Sequence, residues 1–139
     1  MRAAADAVRR SVHFVPGNNR KFLEKALVLR PDTIILDLED SLPSAEKASG
    51  RDLVRSWLNE SSLWSADSPE VCVRINPLGS LHWREDVEAV LKGTEKPPAA
   101  LMVPKVSHGE GVALVSLPGH LEPRFLGIEV NWRFARDKK

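Results

Sequence analysis

The sequence has little of several things that would specialise it. It holds one cysteine, Cys72, so it can have neither an internal disulfide framework nor a cysteine-rich zinc site. It has no tyrosine, and no apolar run approaches the roughly 18 residues of a membrane span. Met1–Arg10 lacks the hydrophobic stretch of a secretory signal. Nor is there an excess of one charge: 20 Lys+Arg stand against 19 Asp+Glu, which removes any overall pull toward nucleic acid or a membrane surface and leaves small-molecule partners. No Gly-x-Ser-x-Gly, Walker or Gly-x-Gly-x-x-Gly pattern is present. The four histidines, His13, His82, His108 and His120, show no metal-ligand spacing. A reducing compartment follows from the cysteine count, so the expectation is cytoplasmic. The mitochondrion is the alternative, since Arg2, Arg9 and Arg10 lie near the start, although Asp6 argues against a transit segment.

What is present is an alternation of short β-rich runs and amphipathic stretches. Ser11–Val15, Thr33–Leu38, Val71–Ile75 and Ala100–Val103 read as strands, with Phe125–Ile128 a weaker fifth. Phe22, Leu23, Ala26, Leu27 and Leu29 follow Asn18-Asn19 at helical spacing. Ser44 is the expected cap of a second helix running to Asn59, and Trp83 to Leu91 form a third, closed by Gly93 as a left-handed stop. Gly109–Leu117, with two glycines, is the weakest helical stretch. Such βαβ alternation implies parallel strands with crossover helices and both sheet faces covered. After the fifth strand the chain ends at Lys139 without a further unit, and its carboxy end reads as cut rather than finished.

In parallel α/β folds ligands sit at the carboxyl ends of strands. There the sequence places Asp37, Glu39 and Asp40, then Arg74 and Asn76, then Lys105. Alternation along a strand puts Asp37 and Glu39 on one face, and Arg74 on a face with Cys72 and Asn76, reaching the same mouth if the two strands are neighbours. A charge between Val73 and Ile75 needs a partner. The alternatives at these positions are structural: Asp40 as a helix cap, Asp37 with Arg74 as a plain salt bridge, Lys105 as a solvated loop lysine, and Cys72 as a small buried hydrophobe. The Gly17-Asn18-Asn19-Arg20 loop opens a helix, with Arg20 and Lys25 near, and would suit a phosphate-bearing ligand.

Taken in order, Arg10-Ser-Val-His-Phe-Val-Pro-Gly-Asn-Asn19, Ile35-Leu-Asp-Leu-Glu-Asp40, Val73-Arg-Ile-Asn-Pro77 and Met102-Val-Pro-Lys-Val106 resemble successive signatures of the citrate lyase β-subunit/HpcH–HpaI aldolase family. The resemblance implies a (β/α)₈ barrel, of which this chain would be a truncated, partial TIM barrel of about five parallel strands, because a whole one takes roughly 250 residues. It implies a Mg²⁺-dependent carbon–carbon lyase acting on CoA thioesters of the citryl-, citramalyl- or malyl-CoA type, a homo-oligomer in its full-length form. By resemblance, Arg74 contacts substrate oxygens, and Asp37 and Glu39 support the metal and its waters. Phe14, Arg20 and Lys25 belong to the part that meets CoA, and Glu129 is the candidate metal ligand. An aspartate ligand from the next unit has no counterpart, so this chain alone is expected to be inactive. The competing readings are a non-catalytic truncated form acting through association, and a self-contained doubly wound module binding a nucleotide.

Overall fold

The computed structural model describes residues 9–106. The expected helix at Gly109–Leu117, the expected strand at Phe125–Ile128 and Glu129 lie outside the described residues.

Four strands, β1 (Val12–Pro16), β2 (Thr33–Asp37), β3 (Glu70–Arg74) and β4 (Ala100–Met102), alternate with three helices, α1 (Arg20–Leu29), α2 (Lys47–Asn59) and α3 (Trp83–Leu91). The strands are parallel and lie in the order β1-β2-β3-β4, each beside its predecessor. A doubly wound sheet reverses its strand order and binds ligand at the reversal. The four described strands have no such point, so the order speaks against the nucleotide-module reading.

The two faces of the sheet differ. Val15, Ile34, Leu36, Val71, Val73 and Leu101 pack with Leu23 and Ala26 of α1, Val54, Trp57 and Leu58 of α2, and Val87 and Val90 of α3 in one apolar cluster. All three helices thus cover the same face. The opposite face carries a separate small cluster, Ile35, Cys72, Ala100 and Met102. Both faces of β2 are buried along its whole length, as its nearly unbroken apolar sequence requires.

Helix ends follow local chemistry. Asn19 caps α1 by accepting the Phe22 N–H at 3.1 Å, and Arg30, in the left-handed region at φ 53°, ends it by donating its N–H to Ala26. Two expectations are corrected. Ser44 makes no side-chain cap; it opens a single 3₁₀ turn, Ser44–Glu46, that leads into α2. Gly93 does not supply a left-handed stop for α3, since Lys92 at its end is right-handed and, among the described residues, Gly79 is the glycine with positive φ. Side chains close this end instead: Thr94 Oγ1 donates to the Val90 carbonyl at 2.7 Å, and Asn59 Nδ2 to the Gly93 carbonyl at 3.0 Å. Gly93 is small for a different reason, as a Cβ there would lie 2.4 Å from Arg55 Cδ and 2.8 Å from the Ala89 carbonyl oxygen.

The register stacks the second face in rungs. Thr33 lies opposite Glu70, Ile35 opposite Cys72, and Asp37 opposite Arg74. The lowest rung is polar and closed: Glu70 accepts from Thr33 Oγ1 at 3.0 Å and is gripped by Arg9 through two bonds of 2.7 Å. β3 thus starts at Glu70, one residue before the expected Val71, and the extra residue is this buried glutamate.

Candidate functional site at the carboxyl ends of the strands

The top rung is where charge gathers. Asp37, the last residue of β2, and Arg74, the last of β3, are register partners. Arg74 meets Asp37 edge-on, with Nε to Oδ1 at 2.8 Å and Nη2 to Oδ2 at 2.7 Å. The same carboxylate accepts the backbone N–H of Glu39 at 2.9 Å and of Ser41 at 3.3 Å, which folds the chain after β2 into a turn around it. That turn brings Glu39 back over the rung, where Oε2 lies 3.1 Å from Arg74 Nη1. Asp37, Glu39 and Arg74, expected on one face, do come together, but Glu39 does so through this turn and not by strand alternation, since β2 ends at Asp37.

Two further groups complete the rim. The Arg74 guanidinium sits over the Phe14 ring, 4.9 Å from its centroid, so β1 contributes an aromatic platform. Lys105 reaches in from beyond β4: its Nζ lies 2.8 Å from Glu39 Oε1 and 3.4 Å from Asp40 Oδ1. Lys105 is therefore a loop lysine with 62% of its side chain exposed that also pairs with Glu39 and Asp40. Its backbone is in the left-handed region at φ 54°, a conformation that is uncommon outside glycine and clusters at functional sites. Asp40 is exposed and pairs with Lys105, making no helix cap.

Burial pushes the Asp37 carboxyl up, but the hydrogen bonds from Arg74, Glu39 and Ser41 and the Arg74 charge outweigh it and hold the group below the usual carboxylate range. The bond to Asp37 likewise raises Arg74, against the opposing effect of its burial. Glu39 Oε1 is buried and carries no hydrogen bond of proper angle, although the Lys105 charge stands beside it.

Asn76 departs from expectation. It does not face the mouth with Arg74. Its amide donates to the Leu38 carbonyl at 2.9 Å and to Asp86 Oδ2 at 2.7 Å, because the chain leaves the β ladder after Arg74 and turns toward α3. Asp86, fully buried, also takes the Asn76 backbone N–H and an Arg51 bond of 3.2 Å. Behind the acidic turn Lys47 Nζ donates to the Leu38 carbonyl at 2.8 Å and to the Glu39 carbonyl. Neither Lys47 nor Asp86 is among the expected site residues. A signal existed in the helical spacing of Lys47, Gly50, Val54 and Trp57, which places this lysine on the buried stripe of α2.

Of the residues assigned to CoA, Phe14 belongs to the rim. Arg20 is engaged elsewhere, its guanidinium bonded to Glu24 at 2.9 Å and to Glu60 at 2.6 and 2.9 Å. Lys25 is exposed on α1. As for a divalent cation, both Asp37 oxygens are occupied by protein donors, so a water-mediated contact fits this residue better than direct ligation. Glu39 Oε1, lacking an aligned donor, fits the same role. Among the described residues no group of three or more His, Cys, Asp and Glu side chains is arranged to hold a metal ion.

Known proteins resemble this chain in sequence and in fold. Residues 10–117 match the model of the HpcH/HpaI aldolase/citrate lyase family. The chain is 38% identical over 87 residues to the citrate lyase subunit beta of Leuconostoc mesenteroides subsp. cremoris, covering 63% of this chain and 28% of that protein. It is 35% identical over 104 residues to the mitochondrial citramalyl-CoA lyase of Homo sapiens, covering 75% and 29%. Among solved structures it is similar to CitE from Mycobacterium tuberculosis in complex with magnesium, acetoacetate and coenzyme A, with TM-score 0.60, 27% identity, and coverage of 78% of this chain and 38% of that one. The chain therefore spans about a third of the length of the relatives it matches. With four ordered motifs, a parallel sheet wound in one direction and a family match over most of its length, this chain belongs to the HpcH/HpaI aldolase/citrate lyase family.

Proposed function

We propose that the chain carries the first part of the active site of a Mg²⁺-dependent carbon–carbon lyase acting on CoA thioesters of the citryl-, citramalyl- or malyl-CoA type. In this reading the four strands are one arc of a (β/α)₈ barrel, the helix-free face is its interior, and the full-length form is a homo-oligomer. The observation that carries the proposal is the top rung, where Asp37 and Phe14 fix Arg74 at the strand ends with Glu39 and Lys105 beside it.

Bidentate pairing with Asp37 and stacking on Phe14 leave Arg74 little freedom, which is what a group that must meet a developing negative charge requires. Its Nη1 side, turned toward Glu39, is the edge offered to a substrate carboxylate or enolate oxygen. Lys105, 62% exposed at its side chain, adds a second cation to that rim. Asp37 and Glu39 would support the metal through its waters, and Glu129 is the candidate direct ligand. The bound Mg²⁺ would supply Lewis acidity and a template for the α-oxygenated carboxylate. The CoA contact is assigned to Phe14, Arg20 and Lys25, of which Arg20 would have to exchange Glu60 for a phosphate.

The test is made in a protein completed with the remaining units of the family. Arg74→Lys should lower kcat/KM by about 100-fold or more, the loss expected when a point charge replaces a fixed fork of donors. A variant within about threefold of the parent would remove Arg74 from the site.

A further inference from the structure

The reading of the rim as a reactive site leaves Lys47 without a role. It is 7% exposed, at the first residue of α2, and burying an ammonium is costly unless the site repays it. Its hydrogen-bond partners are the carbonyls of Leu38 and Glu39, the two residues that bend the chain from β2 around the Asp37 carboxylate. The charges that reach it are Asp86, Asp37, Glu39 and Asp40. Neutral donors can cap carbonyls, as Asn76 Nδ2 does for the same Leu38 oxygen. A lysine adds positive charge behind a turn crowded with carboxylates. In front, Arg74 and Lys105 face solvent and the proposed substrate; behind, Lys47 faces the chain, and Arg51 is shared between Asp86 and Glu85.

We propose that Lys47 is a positioning residue. It clamps the Leu38–Glu39 backbone so that Asp37 and Glu39 aim at Arg74 and Lys105, and its charge keeps those carboxylates balanced when the two front cations turn to an anionic substrate group. The inference rests on the proposed function for the identity of the reactive face. The clamp itself is measurable without turnover, so failure of the lyase reading and failure of the clamp are separate results.

The experiment is hydrogen–deuterium exchange by mass spectrometry on the whole 139-residue chain, comparing the parent with Lys47→Met and Lys47→Arg. The turn amides of Leu38, Glu39 and Ser41 donate to the Arg74 carbonyl and the Asp37 carboxylate, so their protection reports the clamp. The amides within α1 serve as the internal reference. In Lys47→Met the turn should exchange at least about tenfold faster while α1 changes by less than about threefold, and Lys47→Arg should return the turn to within about threefold of the parent. An unchanged turn in Lys47→Met overturns the proposal. So does an equal rise in turn and α1, which marks a merely structural lysine, and so does failure of Lys47→Arg to restore the turn. If Lys47→Met leaves no protected segment, the comparison is made on Lys47→Gln, where the same results decide it.

Discussion

Arg74 and Asp37 bear directly on stability, because each is the other's counter-charge. Asp37→Asn should destabilise the chain by about 2–4 kcal/mol in denaturant unfolding, somewhat under the cost of breaking a wholly buried pair, because Arg74 keeps 18% of its side chain exposed. Since the folded-state carboxyl of Asp37 is depressed, its contribution is complete above the ordinary value of about 4 and is lost as pH falls through the lower folded value. Acid unfolding of Asp37→Asn should therefore lack that part of the parent's pH dependence, and an unchanged profile would contradict the depressed carboxyl. Cys72 gives a second residue-level prediction. Burial, with Glu70 nearby, pushes its thiol up to about 12. Alkylation of the native chain at pH 8 should run slower than that of a free cysteine by about two to three orders of magnitude, and rapid labelling would contradict its packed position. At this scale the sequence was informative where alternation applies: Asp37 and Arg74 follow from period two along a strand, whereas Glu39 lies beyond the end of β2 and reaches the rung through the turn around Asp37. It was silent where a side chain reaches its partner across a loop. Nothing in Pro104-Lys105 announces a contact with Glu39, and Asn76 shares the parity of Arg74 without sharing its direction, because the strand stops between them.

Elements were legible in type and approximate extent because hydrophobic period decides them; their ends were not, because a cap depends on which partner packs against it. Asn19 fulfilled its local signal. Ser44 and Gly93 carried equally good local signals that the structure does not use, the first because a 3₁₀ turn intervenes and the second because Thr94 and Asn59 take the terminal carbonyls. Asn19→Ala should cost about 1 kcal/mol, read as a shift of the unfolding midpoint. Gly17 is a tighter constraint, since a Cβ there would stand 2.9 Å from the Asp37 carbonyl oxygen, 3.0 Å from Leu38 Cδ2 and 3.1 Å from Val54 Cγ2. Gly17→Ala should force β1 away from the end of β2 and destabilise by about 1–3 kcal/mol. A neutral effect on the unfolding midpoint would show that this junction yields.

Over the whole molecule the strand order carries the argument. Strands laid down in sequence with all three helices on one face leave the other face free to become an interior, and the charged rung lies at its carboxyl rim. The sequence showed parallel strands and, through its four ordered motifs, the family. Periodicity alone did not distinguish a sheet wound in one direction from one that reverses, because a βαβ unit looks the same in both. Because the chain spans about a third of its relatives' length, it should show no Mg²⁺-dependent cleavage of citryl-, citramalyl- or malyl-CoA by itself, and turnover by the purified chain would contradict the proposal that it carries only part of the site. The central claim is that these residues build one part of a lyase site that other units complete. It is tested most directly by joining this chain, through Val106, to the portion of human citramalyl-CoA lyase that follows the matched segment, and assaying cleavage of citramalyl-CoA. The account predicts cleavage that needs Mg²⁺ and is lost in Arg74→Lys. A folded chimera that fails to cleave while the human enzyme does so alongside, or cleavage that survives Arg74→Lys unchanged, would contradict it.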